Sequence, residues 1–100
     1  MKRSTLLLTY NIIPLMQEDY MRFMVNVFMP MLQNIGLMRV GVWHTAYGDY
    51  PMRLLSFVAE HEVMERALAS ETWSDMEGKL KTFVEDYQMR VVPFRDGFQF

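Results

Sequence analysis

An α+β fold is predicted from this sequence by three observations. Residues 37–46 and 52–59 alternate in side-chain character on either side of a turn-rich segment, as an antiparallel hairpin does. Residues 17–35 and the stretch beyond Glu60 carry apolar side chains at steps of three and four, as amphipathic helices do. Short apolar runs lie near the start and the end of the chain. The order is strand, helix, strand, strand, helix, strand. Two such halves make a four-stranded antiparallel sheet with its helices on one face, the ferredoxin-like βαββαβ plait.

The first strand is Thr5 to Ile12, apolar in both alternating sets and bounded by Pro14. Such a strand is expected to be buried on both faces. Pro14 and Leu15 make the exit turn. The first helix spans Gln17 to Ile35, with Tyr20, Phe23, Met24, Val27, Met31 and Ile35 on one stripe. Glu18 and Asp19 lie in its first turn, where the helix dipole favours negative charge. Pro30 interrupts it. A proline inside a helix lacks one donor and costs about 3 kcal/mol unless the helix deforms, so a kink or break is expected near Val27 to Met29. Asn34 and Gly36 stop the helix, Gly36 being able to take the left-handed conformation.

In the second strand, Leu37 to Ala46, a straight alternation sets Met38, Val40, Val42 and His44 on one face. Leu37, Arg39, Gly41, Trp43 and Thr45 then share the other. The segment Tyr47-Gly48-Asp49-Tyr50-Pro51 is dense in turn residues. Met52 to Ala59 returns as the third strand. A short helix over Glu60 to Ala69 has Val63, Met64, Ala67 and Leu68 on one side, and Ser70 is the N-cap of the next. Its stripe is read as Trp73, Met76, Leu80, Phe83, Val84 and Tyr87, followed by a last strand over Gln88 to Phe94.

The composition narrows both assembly and function. All 100 residues are read as a single domain, in which 51% of the chain is apolar or aromatic and 22% is charged. A domain of this size buries only about two-thirds of its unfolded surface. The sheet face that the helices leave open is expected to be apolar across all four strands. A homodimer packing two such faces together would cover it. The sequence has no cysteine, which excludes a disulfide scaffold and thiolate chemistry. A formal charge of −2 argues against nucleic acid as a partner. The apolar start breaks at Thr9, Tyr10 and Asn11, too early for a signal peptide, and no apolar run reaches membrane-spanning length. The expectation is a soluble, cytoplasmic protein.

The hairpin residues Gly41 to Asp49 with the strand after them, and the helical stretch Glu62 to Trp73, resemble the NIPSNAP-like family. So do Tyr10 and the run Met29-Pro30-Met31-Leu32. The resemblance covers roughly Leu6 to Pro93. It implies a dimeric α/β barrel, a superfamily that includes cofactor-free monooxygenases, small-ring isomerases and haem-degrading enzymes. The haem-degrading members use an asparagine, a tryptophan and a later helical histidine. Asn11 and Trp73 stand in suitable places, but no histidine follows His61. Without an axial ligand that activity is excluded, and no cofactor is expected.

His44 is the candidate catalytic acid/base, because its charge changes near neutral pH. Trp43, Tyr47 and Asp49 lie close to it in sequence. Tyr10, Trp43, Tyr47, Arg53 and Phe57 are the candidate substrate-binding residues, lining an apolar pocket between sheet and helices. They suit a small, hydrophobic, oxygenated molecule. Arg39 and Arg53 lie on the two strands of the hairpin, where an inward arginine needs a carboxylate or an anionic ligand. His61 and Glu65 share a helical face, but two ligands make no metal site, so none is expected. The alternative to a binding protein or enzyme is a non-catalytic dimerisation module, in which the eleven methionines serve packing alone.

Overall fold

The computed structural model describes residues 2–44 and 52–93. Their elements are β1 (Arg3–Ile12), a 3-10 turn (Pro14–Met16), α1 (Gln17–Phe23), a π-helical turn (Met24–Phe28), α2 (Met29–Asn34), β2 (Met38–His44), β3 (Met52–Glu60), α3 (His61–Leu68), α4 (Glu71–Leu80) and β4 (Val84–Pro93). All strand pairs are antiparallel, in the order β2-β3-β1-β4. This is the predicted plait, with β1 and β3 central and β2 and β4 at the edges.

One face of β1 carries the core. Leu6, Leu8, Tyr10 and Ile12 are buried there, joined by Leu55, Phe57 and Ala59 of β3. The helices lay Tyr20, Phe23, Met24, Phe28, Leu32, Met64, Ala67, Trp73 and Leu80 on them. Phe28 is central, with ring centroids 6.5 Å from Phe57, 6.4 Å from Trp73 and 5.6 Å from Phe23.

Pro30 acts as its chemistry demands, one turn upstream. It has no N–H to give to Asn26, and its ring would crowd that carbonyl. The chain answers with the π turn over Met24–Phe28, in which the Met29 amide reaches back to the Met24 carbonyl. A π turn holds an extra residue, so the stripe beyond it moves by one position. Phe28 and Leu32 are fully buried, while Val27 and Met31 are only partly so. The unbroken stripe through Val27 and Met31 is therefore corrected, although the deformation lies where the proline placed it.

The helix ends at Gly36, whose φ of +95° is open to glycine without strain. A Cβ at that position would come within 2.7 Å of Val63 Cγ1 on α3. The N-cap of α4 is as predicted: the Trp73 amide donates to Ser70 Oγ at 3.2 Å.

The stripe assigned to α4 runs too far. The helix stops at Leu80, and Val84 and Tyr87 belong to β4. Pairing decides this, because Val84 sits opposite Ile12 and completes the sheet. The steps of three and four that end the stripe coincide by chance with a strand that contains a bulge. At that bulge Asp86 takes a φ of 56°, a conformation that aspartate tolerates, and accepts a hydrogen bond from Asn11 Nδ2 at 3.0 Å.

The face opposite the helices is less uniformly apolar than expected. Leu7, Leu54, Val58 and Val92 share it with Thr5, Thr9, Ser56, Gln88 and Arg90. β1 is accordingly buried completely on its helix side, whereas Leu7, Thr9 and Asn11 on the other side are half-buried. Apolar side chains also reach solvent on the edge strand β2, where Met38 is 68% and Val40 55% exposed. Among the described residues, no helix is long and apolar enough to cross a membrane.

Candidate functional site

Tyr10 sits on the helix face of β1, directly opposite Arg53 of β3 in the ladder. Antiparallel partners project to the same face, so both side chains lie under α1. Tyr20, from α1, closes over them. The Tyr10 and Tyr20 hydroxyls are 2.5 Å apart and their rings meet edge-on at 5.8 Å. The Arg53 guanidinium lies 6.0 Å from the centre of the Tyr20 ring. Tyr87, turned inward after the β4 bulge, stacks on Tyr10 with centroids 6.5 Å apart, and its hydroxyl donates to Glu77 Oε2 of α4 at 2.7 Å.

Burial dominates the electrostatics. It pushes the Tyr10 phenol far above the ordinary tyrosine range, helped by Tyr20, against a smaller opposing pull from Arg53. Tyr20 is also raised by burial, while the hydrogen bond with Tyr10 and the charge of Arg53 both pull it down. Tyr87 is raised by burial and by its bond to the Glu77 carboxylate. All three phenols are therefore neutral around pH 7.

Either phenol can donate in the bond between Tyr10 and Tyr20. The Tyr87 hydrogen is spent on Glu77. The buried Arg53 Nε–H has no acceptor among the described residues. A buried donor left without a partner costs about 1–3 kcal/mol, so Arg53 Nε–H marks a place for an acceptor oxygen.

The sequence-derived candidates fall into two groups. Tyr10 and Arg53 are brought together. Phe57 is four residues from Arg53 on the same face but is fully buried against Phe28, so it forms wall rather than opening. Tyr47 lies outside the described residues, as do the side chains of Trp43 and His44. The backbone of His44 is described, and the ladder sets it opposite Arg53.

That register depends on a bulge. Met38 pairs with Val58 and Arg39 with Phe57, but beyond Val40 the pairing slips by one, so Gly41 meets Ser56 and Val42 meets Leu55. A straight strand would have set His44 opposite Met52. The alternation expected for β2 is corrected accordingly: Val42 shares the rung of Leu55, and Met38 does not share its face. The bulge brings His44, Arg53 and Tyr10 onto one rung of the sheet. Arg39 is on a separate rung, lining a cleft of about 550 Å³ between α2 and β2 with Met29, Gln33 and Leu37.

Sequence reasoning did not single out Tyr20, Tyr87 or Glu77 as polar members of this site. Tyr20 reads as a stripe residue, and Tyr87 was carried along the stripe of α4. The available signal was Asp86, a residue suited to positive φ standing inside an alternating run.

No protein-family profile and no curated protein sequence matches this chain. Solved structures do. A NIPSNAP family protein from Agrobacterium tumefaciens superposes with a TM-score of 0.68 at 13% identity, covering 94% of this chain and 87% of that one. A Bacteroides thetaiotaomicron protein of unknown function, described as a possible oxidoreductase, gives 0.70 at 10% identity, over 93% and 98%. A Nitrosomonas europaea protein provisionally assigned as an antibiotic biosynthesis monooxygenase gives 0.65 at 8%, over 92% and 88%. At such identities the likeness is one of fold. The chain carries the fold of the NIPSNAP family proteins that its hairpin and helix residues resemble.

Proposed function

We propose that this protein binds a small, hydrophobic, oxygenated molecule between sheet and α1, its oxygen accepting from Arg53 Nε–H and from the Tyr20 hydroxyl. The observation that carries the reading is the buried, unpartnered Arg53 Nε–H on the rung of Tyr10, with Tyr20 closing over it. An enolate, phenolate or carboxylate oxygen suits them best, because a guanidinium rewards negative charge. Tyr10 positions Tyr20, and Phe57 backs the apolar wall.

In this reading His44 is the acid/base, acting from the same rung as Arg53, with Tyr47 completing the pocket; Trp43 is left out of it, because its ladder partner is Leu54 of the other sheet face. A substrate held as an anion beside an acid/base is suited to cofactor-independent chemistry. The fold shared with a provisionally assigned monooxygenase and a possible oxidoreductase supports that chemistry. The protein works as a single-domain homodimer, with the half-buried sheet face of Leu7, Leu54 and Val58 packed against its copy.

Thermal shift with a panel of small phenols and aromatic carboxylic acids tests the binding. A ligand that binds only the native state raises the melting temperature by mass action. Stabilisation of the native protein is expected, with loss of that stabilisation in Arg53→Gln and Tyr20→Phe. If no member of the panel stabilises the native protein, or if Arg53→Gln is stabilised equally, the reading fails. His44→Ala is expected to keep ligand binding and lose turnover.

A further inference from the structure

A second constellation stands at the other end of β1 from Tyr10, and it does not rest on the site described above. Ser4 of β1, His61 at the head of α3 and Glu65 one turn later form a continuous hydrogen-bonded chain. Ser4 Oγ lies 3.0 Å from His61 Nδ1, and His61 Nε2 lies 2.8 Å from Glu65 Oε1. The His61 amide also donates to the Lys2 carbonyl at 2.9 Å, which ties the start of α3 to the start of β1 and fixes the imidazole beside Ser4.

The chemistry of the three groups sets the proton positions. An ionised carboxylate only accepts, so the ring hydrogen of a neutral His61 sits on Nε2 and is given to Glu65. Nδ1 then has a lone pair, and the Ser4 hydroxyl donates to it. This is a hydroxyl nucleophile bonded to a base whose far nitrogen is held by a carboxylate. The two ring nitrogens are exchanged relative to the familiar serine triad, but the roles are the same.

Ser4 is only 4% exposed, yet it lines an open cleft of about 450 Å³ together with His61, Glu65, Met64, Leu68 and Val91. Beyond the polar end the wall is apolar, which fits a short hydrocarbon chain.

We propose that Ser4, His61 and Glu65 form a second site that hydrolyses esters of short apolar acids. Ser4 Oγ bonds to the ester carbonyl carbon while its proton passes to His61 Nδ1. The adduct collapses, the bond from carbon to the alcohol oxygen breaks, and the alcohol leaves with the proton from His61. Water then attacks the acyl-serine with His61 taking its proton. The carboxylic acid departs and the Ser4 hydroxyl is restored.

The test uses p-nitrophenyl butyrate as substrate and diisopropyl fluorophosphate as the trapping probe. Release of p-nitrophenol by the native protein and a single phosphoryl adduct mapped by mass to Ser4 are expected. Ser4→Ala removes both. His61→Ala and Glu65→Gln lower the rate, the first on the order of a hundredfold, with unchanged melting temperature. An unreactive native protein, an adduct on another residue, or equal turnover in Ser4→Ala overturns the proposal. Should Ser4→Ala not fold, adduct mapping on the native chain still decides. Glu65→Gln alters an exposed side chain, and an undiminished rate there removes Glu65 from the machinery.

Discussion

The buried tyrosines make the most specific claim about single residues. Tyr10, Tyr20 and Tyr87 all hold their protons above the range of an exposed phenol, because burial disfavours the phenolate. An unfolded tyrosine titrates near pH 10. Above that pH the unfolded chain releases protons that the native state still binds, so stability falls as pH rises. Stability is therefore expected to be unaffected by these groups below about pH 10 and to decline beyond it. Their phenolate absorbance should appear together with loss of circular dichroism, and Tyr87→Phe should weaken the alkaline loss. Tyr20→Phe leaves the Tyr10 hydroxyl buried without its partner, and is expected to cost about 1–3 kcal/mol in urea unfolding.

At the scale of elements, two devices fix how the helices meet the sheet. Gly36 ends the first helical segment with a left-handed turn against α3. Gly36→Ala adds both backbone strain and a clash with Val63 Cγ1, and is expected to destabilise by more than about 1 kcal/mol. Val63→Ala in the same chain should recover the part due to the clash but not the part due to φ. The Ser70 cap is simpler: Ser70→Ala removes the acceptor for the Trp73 amide, at about 1 kcal/mol. Chemical denaturation of the three variants separates these contributions. Both features were legible in the sequence, since a glycine beyond a helical stripe and a serine before one have few other readings. The phase of the stripe after Pro30 was not. The proline announced a deformation, but only packing of Phe28 against Phe57 and Trp73 selected an extra residue in the turn over an open kink.

At the scale of the whole molecule, the surface that bears on assembly is the sheet face away from the helices. Leu7 lies at its centre, half-buried between Ser56 and Arg90. If two copies pack through this face, sedimentation gives a dimer at micromolar concentration. Leu7→Lys then yields a folded monomer, because a lysine there would be forced out of water without a partner. A folded native monomer at those concentrations contradicts the dimer. The face mixes apolar with polar side chains, so the area it can bury usefully is smaller than composition alone suggests. Part of the apolar surplus lies elsewhere, on Met38 and Val40 of the edge strand and on Val25 and Leu15 outside the helices.

Periodicity in the sequence determined the plait, the order of its elements, the helix stop at Gly36 and the cap at Ser70. These are local consequences of side-chain spacing and backbone freedom. It also named Arg53, because an arginine on an inward strand face needs a partner, whereas Tyr10 was named by the family resemblance. Tertiary structure alone decided which residues meet. Two bulges, at Val40 and at Asp86, slip the ladder by a residue each, and they decide that His44 is level with Arg53 and that Tyr87 stacks on Tyr10. A one-residue slip exchanges the faces of every residue beyond it. No local pattern reports such a slip, because its energy lies in the hydrogen bonds and packing of the neighbouring strand.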